Sequence, residues 1–190
     1  GADPYLKFWL ARSMPNVPRE QRDTFETQLL RSLELMDASL ASEDLNDAWR
    51  STILAYRVKR LIERLQLEVG RPSTPARETR ITELVDDAAA SLRELEQLTL
   101  VLPEMLPSCR YGLTIQLQSH PKELLKVLSP SVAATLRALP DDEARVRALA
   151  ESLGWEPVEI TALMFNLDRT IGGVVSAVEV DGPAPERARS

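Results

Sequence analysis

One cysteine, Cys109, and one histidine, His120, stand among 190 residues. A lone cysteine makes no internal disulfide, so the fold cannot rest on a covalent framework. The pair also falls short of the roughly four Cys, His or acidic ligands that a zinc site needs at set spacings. A nucleophilic cysteine wants a partnered imidazole, and no acid motif stands beside either residue. His120, in "SHP" ahead of a helix, reads as a cap or turn residue. Cys109, in "PSCRYG", follows a proline-rich turn.

Long apolar runs are missing too. No stretch approaches the roughly 20 residues that span a bilayer, and no secretory leader is expected. A reducing cytoplasm is the expected compartment. Gly1-Ala2 in place of an initiator Met reads as a cleavage scar, so the chain is expected to be part of a longer one. Glycine-rich phosphate loops are also absent: "TIGGVV" has two glycines but neither the P-loop nor the dinucleotide spacing. The triplet Asp141-Asp142-Glu143 suits a helix N-terminus and lacks the further oxygen ligands of a calcium site. No cofactor, no metal and no catalytic constellation is expected.

Excess positive charge is the last shortage. Lys and Arg number 23 against 29 Asp and Glu, a formal net charge of −6. Such a balance argues against a general nucleic-acid coat, which must neutralise phosphates. A local basic face stays open.

What is present is ordinary globular material, 44% hydrophobic and 27% charged. Asp3 caps and Pro4 opens a first short helix with a dense apolar cluster, Tyr5, Leu6, Phe8, Trp9 and Leu10, that reads mainly as core. As an N-terminal segment it is also a candidate arm that swaps onto a second copy. After "PNVP", the residues Phe25, Leu29, Leu33, Met36 and Leu40 repeat at three and four, an amphipathic helix. Ser42 is expected to cap the next helix, Glu43 to Val69, about 40 Å long at 1.5 Å per residue, with Leu45, Trp49, Ile53, Tyr56, Leu61 and Leu65 on its apolar face. Thr74-Pro75 opens another, with Ile81, Leu84, Val85, Ala88, Leu92, Leu95 and Leu98 in its stripe. Pro103 and Pro107 stop it. These segments predict an antiparallel helical bundle over residues 4–106.

The texture then changes. In "YGLTIQLQS" the residues Leu113, Ile115 and Leu117 alternate with polar ones, the period of a strand. "GGVVSAVEVDG" is a second strand candidate. Helical stretches lie between them at Pro121–Leu128, Pro130–Leu139 and Asp141–Ser152, and another begins near Pro157. "ALAESLGWEPVEITALMFNLDRTIGG" then meets the steric demands of a helix-turn-helix: Gly154 at the turn, Ala150 at the crossing, and Leu149, Leu153, Trp155, Ile160 and Leu163 facing inward. With the flanking strands as a wing, residues 111–180 resemble a winged helix. Small helical interaction domains of the death-domain sort share the "LAESLGW" hinge, and an unrelated three-helix core meets the same spacing. Residues 181–190 read as a disordered tail. The expected fold class is mostly α, a helical bundle followed by a small winged-helix-like α+β module.

A DNA reader places the outward residues of its second helix at base edges and phosphates. Here that face carries Glu156, Pro157, Val158, Thr161, Ala162 and Phe165, and Arg169 is the only base on the helix. Val158, Ala162 and Phe165 suit a protein-docking face. Arg50, Arg57, Arg60 and Arg64 form a basic stripe on the long helix. It reads first as pairing with the acidic helix that follows, through Glu83, Asp86, Asp87, Glu94 and Glu96, and second as an anion site that Arg169 extends. The expectation is therefore a non-enzymatic regulatory or scaffolding protein with a protein partner, a homodimer through its long helices. The alternative is a DNA-binding regulator. A third class, an enzyme with its substrate inside the bundle, has no residue signature.

Overall fold

Asp3 accepts a hydrogen bond from the Tyr5 amide (2.8 Å), and Pro4 takes the first helical position, where its missing N–H costs nothing. They open α1, Pro4–Arg12. The computed structural model describes residues 3–98, 105–117 and 119–128 and the single helical positions Ala134, Ala138, Arg147 and Glu151. Their regular elements continue with α2 (Arg22–Leu40), α3 (Asp47–Val69), α4 (Pro75–Gln97), α5 (Met105–Gln116) and α6 (Pro121–Val127). No strand occurs among the described residues. The chain divides into two units, Gly1–Gln116 and Leu117–Ser190.

In the first unit the polar contacts fix the helix directions. Pro4 and Ala11 of α1 meet Ser39 and Ser32 of α2, in reverse order. Asp37, late in α2, meets Arg57 of α3, whereas Arg22, at its start, meets the Leu67 carbonyl. Arg50 meets Glu94, and Glu68 meets Arg80, so α3 and α4 are antiparallel as well. The expected antiparallel run of helices is present. Its apolar stripes are spent internally: Leu29, Met36, Val58, Leu61, Leu65, Ile81, Val85, Ala88, Leu92 and Leu95 are all buried. A second cluster joins Phe8 and Ala11 of α1 to Leu35, Met36, Leu45 and Ile53, with Tyr5, Trp49 and Tyr56 packed on it. Thus α1 is seated on its own chain.

Two expectations need correcting. The segment read as the strand "YGLTIQLQS" lies within α5 for Tyr111 to Gln116. Its alternation is a coincidence of composition: Cys109, Leu113 and Leu117 also stand four apart, and these are the buried ones, while Ile115 is 37% exposed. Pro107 does not stop a helix but sits in the first turn of α5, where an amide has no intrahelical partner. α5 packs on α3 and runs in the same direction: Cys109 approaches the Ala55 carbonyl, and Gly112 lies against Ile62. The helical unit therefore runs on through the expected junction at 107–110. A wing pairing through "LTIQLQ" is excluded. The second strand candidate, the helices expected at 130–152, the helix-turn-helix and the 181–190 tail lie outside the described residues apart from the isolated helical positions.

The second correction concerns the start of α3. Asn46, not Ser42, is the cap: its side-chain oxygen accepts from the Trp49 amide at 2.9 Å. Leu45 is thereby left outside the helix, buried ahead of its start. In the second unit, His120 precedes α6 and makes no side-chain cap bond; its ring Nδ1 lies 3.1 Å from the Ser119 hydroxyl. Leu117, Leu124, Val127 and Leu128 are buried. No helix among the described residues is long and apolar enough to cross a membrane. The cap is directly testable. Asn46→Ala should lower stability by about 1 kcal/mol in urea unfolding, and Ser42→Ala should leave it nearly unchanged. The opposite ranking would restore the longer helix.

Candidate functional site

α1 is nine residues long and apolar around more than one face, so it cannot bury every large side chain it carries. Phe8 and Ala11 turn inward. Leu6, Trp9 and Leu10, at i, i+3 and i+4, turn outward and are 64%, 52% and 47% exposed. α2 and α3 hold the helix in that rotation. The buried hydroxyls of Ser32 and Ser39 donate to the Ala11 and Pro4 carbonyls, each at 2.7 Å. The Arg60 guanidinium donates to the Arg12 carbonyl at 3.2 Å. Ala11 and Arg12 are at the C-terminal end of α1, where carbonyls lack intrahelical partners, so these contacts cap the helix as well as docking it.

Beside the exposed stripe lies a cleft of about 400 Å³. α1 contributes Phe8, Trp9 and Arg12, α3 contributes Ala48, Trp49, Thr52 and Tyr56, and α5 contributes Met105. A second cleft of about 400 Å³ shares Tyr56 and Met105 with it and has Ala55, Lys59, Ile62, Ser108 and Cys109 in its walls. The aromatic rings interlock edge to face: Phe8 to Trp49 at 6.0 Å and to Tyr56 at 5.5 Å, and Tyr5 to Trp49 at 5.0 Å. The Arg12 guanidinium lies 5.1 Å from the Trp9 ring and 5.3 Å from the Tyr56 ring, and the Lys59 ammonium lies 5.9 Å from the Tyr56 ring. Among the described residues, the whole is an apolar groove with two cations on it and no carboxylate in its walls.

The stripe of arginines has a different setting. Arg57 is only 12% exposed and bridges two helices, holding Asp37 at 2.6 Å, Asp87 at 2.8 Å and the Ser91 hydroxyl at 2.9 Å. Burial alone pulls its pKa down, but the hydrogen bonds and charges of Asp37 and Asp87 outweigh that and hold it above the ordinary value. Arg50 reaches Glu94 at 3.3 Å and Arg60 reaches Glu63 at 2.8 Å. Arg64 makes no ion pair with a described residue. Nearby, buried Glu68 binds both Arg71 and Arg80, and Arg71 continues to Glu26 at 2.6 Å. The stripe is thus divided among separate partners. Val158, Ala162, Phe165 and Arg169 lie outside the described residues.

Cys109 lies in the wall of the second cleft but is buried, and burial pushes its thiol up to about 11. No group of three or more His, Cys, Asp or Glu suited to a metal ion occurs among the described residues. The groove residues Trp9, Arg12, Trp49, Tyr56 and Lys59 were not picked out as a site from sequence. One signal was available: Trp49, Tyr56 and Lys59 follow helical spacing with Thr52 between, and α1 has more apolar surface than one core face can take. Compared with known protein families, curated proteins and solved structures, the chain matches none.

Arg57→Ala leaves two carboxylates and a buried serine without their donor, and it should cost about 1–3 kcal/mol in urea unfolding. A change under about 0.5 kcal/mol would show that the bridge contributes little. At pH 8 only about a thousandth of a thiol with a pKa near 11 is thiolate. Iodoacetamide should therefore label Cys109 far more slowly in the native chain than in urea. Equal rates would contradict its burial.

Proposed function

We propose that this is a non-enzymatic regulatory or scaffolding protein that works by contact with another protein, and that the groove along α1, α3 and α5 takes a helix of that partner. The observation that carries the reading is the apolar stripe Leu6, Trp9 and Leu10, held outward next to an aromatic cleft. Contiguous exposed apolar surface on a rigid helix marks an interaction site, and aromatic residues are the commonest anchors at such sites.

The shape supports a helix as occupant. The joined clefts follow α3 from Ala48 to Ile62, about 20 Å at 1.5 Å per residue, the length of a helix of three to four turns. An amphipathic helix fills such a groove with side chains at i, i+3, i+4 and i+7. The stripe from Arg50 to Arg60 already holds carboxylates of this chain, which supports a protein partner over a phosphate backbone.

The test is site-specific photo-crosslinking of the full chain in an extract of its source cells. A photoreactive residue at Leu6 should capture one helical segment of another polypeptide, identified by sequencing the linked peptide. The solvent-exposed substitution Trp9→Glu should abolish capture without changing the thermal melt. Capture of nucleic acid, capture of a second copy of this chain alone, or no capture at Leu6 would overturn the reading.

A further inference from the structure

We infer that the helix received by this groove is acidic, with two carboxylates that meet Arg12 and Lys59; this rests on the reading of the groove as a helix site. The partly or fully buried Arg50, Arg57, Arg60 and Arg71 each hold a carboxylate of the chain itself. Arg12 and Lys59 do not. Neither makes an ion pair with a described residue, and both lie on aromatic rings in the groove instead. They are also the only charged side chains among the described residues that line the two clefts.

That local sign runs against the molecule as a whole, which carries a formal net charge of −6. An acidic partner is repelled by most of this surface and attracted at the groove, so the two cations direct it there. A basic helix meets the opposite field. A guanidinium resting on two rings is already ordered and partly desolvated. Its N–H edge remains available to a carboxylate, which it binds with paired hydrogen bonds. The ammonium of Lys59 acts as a point charge near the same Tyr56 ring. Arg12 and Lys59 stand 5.3 and 5.9 Å from that ring centre. The two cations are therefore at most about 11 Å apart, within reach of two carboxylates four or seven residues apart, roughly 6–11 Å along a helix. The apolar positions between them fall on Trp9, Trp49 and Tyr56. The groove therefore selects by sign as well as by shape.

The experiment is selection of a phage-displayed library of helical peptides on the immobilised full chain. It is followed by anisotropy titrations of synthetic binders against the wild type and an Arg12→Glu/Lys59→Glu variant. Both substituted positions are exposed, and a circular-dichroism melt confirms that the variant folds. The expected binders carry an apolar i, i+3, i+4, i+7 stripe and two Asp or Glu residues four or seven apart. Charge reversal in the protein should weaken them at least tenfold, and exchanging the peptide's acids for lysine should restore binding to the variant. Enriched helices with no acidic bias, or binding indifferent to the charge reversal, would overturn the inference and leave the groove as a helix site. Absence of any enriched helix, or binders insensitive to Trp9→Glu, would overturn the reading of the groove itself.

Discussion

The docking of α1 on α2 and α3 is the constraint on which the rest depends. A nine-residue helix is not stable alone in water, and α1 has to be held by its neighbours. Two buried serines, seven residues apart on α2, let the helices approach closely and give their hydroxyls to α1 carbonyls. Arg60 caps the other side of the α1 terminus. Phe8 supplies the apolar part of the contact, wedged edge-on between Trp49 and Tyr56. Once Phe8 and Ala11 face inward, helical geometry leaves Leu6, Trp9 and Leu10 no choice but to face outward. The exposed stripe is a consequence of how the helix is fastened.

Electrostatics serves two purposes in the first unit. Between helices it records register: Arg57 joins α2 to α4 across α3, and buried Glu68 gathers Arg71 and Arg80 at the far end. A buried carboxylate is tolerable only when paired in this way. At the groove Arg12 and Lys59 meet no carboxylate among the described residues and rest on π faces. A cation committed to an internal carboxylate sets the fold, whereas Arg12 and Lys59 rest on rings of the groove with no ion pair to a described residue.

Most helices of the first unit were legible because their signals are local and redundant. The stripe from Ile81 to Leu95, the Thr74-Pro75 start and the Asp3-Pro4 start all agree with what the structure contains. The choice between Ser42 and Asn46 was not legible, since both residues can cap and only the burial of Leu45 decides. α5 was missed because a short segment with apolar residues at 113, 115 and 117 satisfies period two, and its fit to period 3.6 shows only when Cys109 is counted as apolar. The groove is harder still to foresee. Trp9, Trp49 and Tyr56 are far apart in sequence, and whether aromatic residues form a core or the lining of a cleft depends on how much of each its neighbours cover.

Native-state hydrogen exchange on α1 tests the central claim most directly. If α1 is a fastened platform, the amides from Phe8 to Arg12 should exchange only with global unfolding, as slowly as those of α3, and Ser32→Ala with Ser39→Ala should speed them selectively. Exchange of those amides within the first minutes, while α3 stays protected, would show that α1 is a loosely held arm, and the account of a preformed groove would fail with it.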